Sequence, residues 1–164
     1  MTLIKSISGI RGTIGGEQGS NLTPIDVVEC TAGFGMWIKK RHSNPKVVIG
    51  RDGRITGKMV SQLATQTLLA MGIDVIDLDL STTPTVEYAV PIENASAGII
   101  FTASHNPKQW NALKFLNHKG EFISAADGEE ILEFIAEGKL HFNEVDKLGS
   151  YTSNDTYIQK HIEA

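Results

Sequence analysis

Three short apolar runs, each ending in a polar loop, constrain this chain most. They are Lys46-Val47-Val48-Ile49, the alternating Ile73-Asp74-Val75-Ile76-Asp77-Leu78, and Ala97-Gly98-Ile99-Ile100-Phe101. Their length and branching read as strands. Helical periods separate them. From about Lys58, the residues Val60, Leu63, Ala64, Thr67, Leu68 and Met71 recur at three and four, and Gly72 stops the pattern. Thr83-Pro84-Thr85 opens a short helix through about Val90. Upstream, Thr23-Pro24 starts a helix with Val27, Cys30, Phe34, Trp37 and Ile38 on one face. Its basic end, Lys39-Lys40-Arg41-His42, suits the negative pole of the dipole, and Gly33 and Gly35 permit close packing at a cost in helix propensity. Downstream, Ala112 to Leu116 reads as a further strand. Glu129 to Glu137 reads as a helix closed by Gly138, with Glu129, Glu130 and Glu133 on a solvated face.

The alternation predicts an α/β fold: a three-layer α/β/α domain with a mixed, mostly parallel sheet. We place this domain at residues 1–138. Residues 139–154 are polar and read as a linker or surface crossing. Asp155 then opens a helix through Ala164 that lacks a stop signal, so 139–164 is expected to lead to further domains.

The 164 residues carry a formal charge of −4, which offers no global field for nucleic acid or an anionic membrane. An anionic ligand therefore needs a local cationic cluster. The single cysteine, Cys30, excludes an internal disulfide and reads as a buried structural thiol. The amino terminus lacks the apolar core of a signal peptide, and no run is long enough for a membrane span. A soluble cytoplasmic protein is expected.

In parallel sheets, ligands gather at the carboxyl ends of strands. Three loops follow the three runs: Gly50-Arg51-Asp52-Gly53-Arg54, Thr82-Thr83-Pro84-Thr85 and Thr102-Ala103-Ser104-His105-Asn106-Pro107. They should cluster on one edge. Ser104 is a nucleophile candidate, with His105, Lys114 and Arg11 as nearby proton handlers or cations. Each alone has a plain reading: Ser104-His105-Asn106-Pro107 is a good turn, and a lone lysine is usually solvated. Arg51, Asp52 and Arg54 read as an internal loop brace, with Asp52 pinning Arg11 or Arg54. Trp37 reads as core, and Trp110 is placed beneath the serine loop.

Taken as a whole string, Thr102-Ala103-Ser104-His105-Asn106-Pro107 resembles the phosphoserine loop of the α-D-phosphohexomutases. Ser8-Gly9-Ile10-Arg11-Gly12 resembles that family's S-G-I-R-G segment, Gly50 to Arg54 its G-x-D-x-R segment, and Thr83-Pro84-Thr85 its T-P-T segment. The family's N-G-x-K stretch corresponds to Asn111-Ala112-Leu113-Lys114, with alanine in the glycine position.

The resemblance implies the first of four domains around one cleft, with a hexose phosphate as the substrate of the whole enzyme. It implies that Ser104 carries a phosphate and gives it to a sugar monophosphate through a bisphosphorylated intermediate. It implies Lys114 as general acid/base, Arg11 as a phosphate contact, and His105 as an orienting or proton-sharing group. It further implies Mg²⁺, held on this chain only by the phosphate on Ser104, and a sugar bisphosphate activator. The remaining metal ligands and the partner domains would lie downstream in the parent chain, and the domain alone is expected to be inactive. The competing reading is a non-catalytic sugar-phosphate or anion-binding module. A serine hydrolase is disfavoured, because there is no G-x-S-x-G elbow.

Overall fold

In the computed structural model, residues 1–6 and 9–164 are described, so Ser8 of the amino-terminal segment lies outside the described residues. Among the described residues, seven strands form one sheet: β1 (Ile4–Ser6), β2 (Gly9–Thr13), β3 (Lys46–Arg51), β4 (Asp74–Leu80), β5 (Ala97–Phe101), β6 (Trp110–Leu116) and β7 (Tyr151–Ser153). Their order is β1-β2-β6-β5-β3-β4-β7. The pairs β5–β3, β3–β4 and β4–β7 are parallel, whereas β6–β5, β2–β6 and β1–β2 are antiparallel. The sheet is thus mixed, with parallel strands at its centre. Among the described residues, five α-helices cover it: α1 (Pro24–Arg41), α2 (Gly57–Ala70), α3 (Thr83–Ile92), α4 (Ala125–Glu137) and α5 (Tyr157–Glu163).

Period-2 alternation divides the core. Val47, Ile49, Ile99, Phe101, Leu113 and Phe115 face the layer of α1, α2 and α4. Val48, Ile100 and Leu116, from the intervening positions, face α3 and α5. Phe34 of α1 stacks on Phe115 at 4.2 Å and on Trp37 at 5.5 Å, so the expected core role of Trp37 holds. The close packing expected at Gly33 and Gly35 is also found. A Cβ at Gly33 would come 2.6 Å from Ile135 of α4, and one at Gly35 would come 2.5 Å from the Met71 sulfur. Cys30 is buried, and desolvation pushes its thiol up to about 12, where it is inert.

Several elements depart from the sequence expectation, each for a local reason. Helix α4 starts four residues earlier than Glu129, because Ser124 and Asp127 form a capping box. Its Glu130 is not simply solvated: it pairs with Lys40 at 2.7 Å and Arg41 at 2.6 Å, tying α4 to the basic end of α1. Those hydrogen bonds, from Arg41 first and Lys40 second, hold the Glu130 carboxyl below its ordinary range. Strands β1 and β2 carried no periodic signal. Within 139–154, Tyr151–Ser153 adds an edge strand to β4, anchored by Tyr151 Oη donating to Asp77 at 2.7 Å. Next, α5 inserts the buried Tyr157 into the second core layer. This carboxyl-terminal segment therefore packs on the sheet rather than crossing it loosely. Among the described residues, no helix is long and apolar enough to cross a membrane.

Candidate active site

Because β3, β4 and β5 run parallel, the loops after them emerge at one edge of the sheet, as expected. The loop after β5 holds Ser104. Its backbone is left-handed, with φ 52°, a conformation that costs an L-residue about 1–2 kcal/mol. The sharp turn leaves Ser104 exposed at the surface of an otherwise buried strand end.

A network built from the β3 loop over-determines this turn. The Ser104 N–H donates to Thr102 Oγ1 at 3.1 Å, and Thr102 Oγ1 donates to Asp52 Oδ2 at 2.7 Å. Asp52 also accepts the Arg54 N–H at 3.1 Å and faces the Arg54 Nε at 3.4 Å. Asp52 therefore pins Arg54, the second of its two expected partners. The Arg54 guanidinium donates to four carbonyl oxygens of the serine loop: Ser104 at 2.9 Å, Asn106 at 2.8 Å, Pro107 at 2.8 Å and Trp110 at 3.1 Å. Arg51 turns the other way and pairs with Asp79 at 2.8 Å. The brace reading of this loop holds for Arg54 and Asp52. Trp110 is half-buried at the start of β6, and its carbonyl joins the brace.

Lys114 projects from β6, and its Nζ donates to Ser104 Oγ at 3.1 Å. The alanine at position 112 does not disturb this reach. Ala112 sits in regular strand pairing opposite Arg11, and the buried Asn111 is fixed by donating to Thr56 Oγ1 at 3.0 Å. Arg11 and Lys114 lie on the same sheet face, since Arg11 pairs with Ala112 and Lys114 follows two residues later. Helix α3 packs chiefly over β3 and β5 on this face. Between Arg11 and Lys114 lies a cavity of about 260 Å³. Arg11 makes no side-chain hydrogen bond or ion pair among the described residues, and neither does His105, which is exposed beside Ser104. The structure thus joins Ser104 directly to Lys114, places Arg11 in the adjoining cavity, and leaves His105 at the rim. Two larger cavities, about 670 and 630 Å³, open along α2 and contain neither Ser104 nor Lys114. Convergent chemistry, not volume, marks the site.

Thr83-Pro84-Thr85 starts α3, as expected, but Thr82 is the cap: its Oγ1 accepts the Thr85 N–H at 3.2 Å. Thr85 Oγ1 lies 3.1 Å from His161 Nδ1, so this segment meets α5 and not the serine loop. Among the described residues, no cluster of three or more His, Cys, Asp or Glu is arranged to hold a metal ion.

Gly9 decides where Arg11 lies. A Cβ at Gly9 would fall 1.9 Å from the Leu113 carbonyl oxygen and 3.1 Å from Lys114 Cα. Gly9→Ala is expected to separate β2 from β6 at Lys114 and to destabilise the fold by about 1–3 kcal/mol. Chemical denaturation reads this as a lower midpoint; an unchanged midpoint rejects the close approach.

Residues 3–141 match the family described as phosphoglucomutase/phosphomannomutase, alpha/beta/alpha domain I. The chain is 43% identical over 91 residues to a phosphoglucosamine mutase of Latilactobacillus sakei, covering 56% of this chain and 20% of that protein. It is 32% identical over 157 residues to a phosphoglucomutase/phosphomannomutase of Thermococcus kodakarensis, covering 95% of this chain and 33% of that protein. The chain therefore spans a third or less of the length of these two relatives. Its fold is similar to a crystal structure of a putative phosphomannomutase from Thermus thermophilus (TM-score 0.78, 25% identity, 95% of this chain and 34% of the other). A family protein from Burkholderia thailandensis shares the fold at TM-score 0.79 and 23% identity, over 97% of this chain and 34% of the other. With the serine loop, its lysine and the three-layer sheet in place, the chain belongs to the phosphoglucomutase/phosphomannomutase family and carries that family's α/β/α domain I.

Proposed function

We propose that this domain supplies the phosphate carrier of a hexose-phosphate mutase, with Ser104 as carrier and Lys114 as its proton partner. The observation that carries the reading is the 3.1 Å contact between Lys114 Nζ and Ser104 Oγ at a strained, exposed turn. A strained serine held beside one amine suits repeated phosphoryl transfer.

In the forward step, the bond between phosphorus and Ser104 Oγ breaks as a sugar hydroxyl oxygen bonds to phosphorus. Lys114 gives Ser104 Oγ a proton as it leaves. In the return step, Lys114 takes that proton back while Ser104 Oγ attacks the other phosphate of the bisphosphorylated sugar. His105, exposed beside the carrier, takes the proton of the attacking sugar hydroxyl in the forward step and gives one to the departing sugar oxygen in the return step, and it also orients the phosphate. A phosphoserine brings about −1.5 to −2 charge, and Arg11 and Lys114 offer two positive groups against it. Magnesium, when bound, draws charge from the transferring phosphoryl oxygens. This chain's share of such a site is the phosphate on Ser104, since Asp52 is committed to Thr102 and Arg54. The remaining ligands and the sugar-reading surfaces belong to other domains, and the isolated domain is inactive.

Peptide mass spectrometry tests the assignment in the parent mutase treated with sugar bisphosphate. One added phosphate is expected on the peptide containing Ser104. Phosphate on a different residue rejects Ser104 as carrier, and binding of the bisphosphate without any label favours the anion-binding module.

A further inference from the structure

We infer that Arg54 is the positioning residue that aims the Ser104 oxygen, acting through the backbone of the serine loop and not through the phosphate. This rests on the carrier role proposed for Ser104 and extends it to a residue with no contact to the transferred group.

A guanidinium has five N–H groups in a fixed planar fork. In Arg54, the two terminal nitrogens reach four carbonyl oxygens, those of Ser104, Asn106, Pro107 and Trp110, all within 3.1 Å. The remaining Nε faces Asp52 at 3.4 Å. The side chain is only 12% exposed. Its terminal nitrogens are committed to the loop backbone, so a phosphoryl oxygen on Ser104 would have to displace a carbonyl to be bound by it. Arg11 and Lys114 meet the cavity, whereas Arg54 backs the loop.

Ser104 has φ 52°, and such a conformation persists where its surroundings over-determine it. Two groups grip that residue's own peptide units: Thr102 Oγ1 takes its N–H, and Arg54 takes its C=O. Both grips converge on Asp52, which accepts from Thr102 and faces Arg54. The brace therefore sets the direction of the Ser104 side chain toward Lys114. Lysine cannot replace it, because a single ammonium is a point donor and cannot span four carbonyls.

The test is steady-state kinetics on the parent mutase. Arg54→Lys is expected to lower kcat by about 10²-fold, the scale of an ångström-sized misplacement, while KM for the sugar phosphate moves by less than about threefold. Arg54→Ala should behave alike and regain part of its kcat when guanidinium ion is added. A role in general stability alone would give neither the split nor the rescue. Wild-type kcat in Arg54→Lys overturns the proposal, as does a loss that falls on KM instead. Should the Arg54 variants fail to fold, Asp52→Asn carries the test: it leaves the guanidinium present but loosely held, so a kcat about tenfold lower with KM kept is expected, and unchanged kcat overturns it. Ser104→Ala, measured in parallel, separates the two readings. If Ser104→Ala is dead and Arg54→Lys is normal, the positioning role alone fails. If Ser104→Ala turns over normally, the carrier reading fails and takes this inference with it.

Discussion

Ser104→Ala is expected to lower turnover of the parent mutase by about 10⁴-fold or more, with the fold intact. The proposed route depends on a covalent phosphoserine, and alanine has no oxygen to hold the phosphate. The other hydroxyl of the serine loop, that of Thr102, cannot substitute. Thr102 Oγ1 is committed to Asp52 and to the Ser104 N–H, and Thr102 is buried. Ser104→Gly sharpens the result. Glycine accepts φ 52° without the penalty that serine bears, which offsets its greater entropy loss on folding. The glycine variant should therefore melt no lower than the parent while its turnover is lost. Thermal melting beside a coupled assay checks both halves. Activity within tenfold of wild type in either variant removes Ser104 as the carrier.

The strain at Ser104 is not visible in the sequence. Thr102 to Pro107 is recognisable as a string, and its place after a buried run put it at a strand's carboxyl end. Both readings follow from short-range patterns, which the sequence displays directly. The brace does not. Arg54 lies fifty residues from Ser104, and its four partners are backbone carbonyls, which carry no side-chain identity. Only the parallel β3–β5 pairing brings the two loops together, with Asp52 N–H donating to the Phe101 carbonyl at 3.1 Å. For the same reason the sequence does not choose between Arg11 and Arg54 as the partner of Asp52.

The edge strands escaped for a different one. Gly9-Ile10-Arg11-Gly12-Thr13 has too few apolar residues for a period, and Gly9 is required by contact with Leu113 rather than by strand propensity. Tyr151-Thr152-Ser153 is three residues long and exposed, so its strand character comes from β4 alone. In contrast, β3, β5, α1 and α2 owe their form to burial on regular periods. Their existence and type followed from the residues themselves.

Lys114 yields the second large effect, and its value lies in separating charge from proton transfer. Lys114→Ala and Lys114→Arg are both expected to lower kcat by about 10²–10⁴-fold, equivalent to about 3–5 kcal/mol of barrier. The arginine variant is the decisive one. It keeps a positive charge near Ser104 Oγ, so any attraction for phosphate survives and KM should change little. It cannot release its proton in the working pH range, so it cannot activate Ser104 Oγ in the return step. If Lys114 served only to balance phosphate charge, Lys114→Arg would keep most of its kcat and Lys114→Ala would lose affinity. Pre-steady-state labelling locates the defect. Starting from the phosphorylated enzyme, release of phosphate to the sugar slows because the Ser104 oxygen leaves unprotonated. Starting from the unphosphorylated enzyme and bisphosphate, rephosphorylation slows because that oxygen keeps its proton. Both half-reactions should therefore be impaired in Lys114→Arg. A variant in which either half-reaction runs at the wild-type rate shows that the 3.1 Å contact between Lys114 Nζ and Ser104 Oγ is electrostatic rather than a path for the proton.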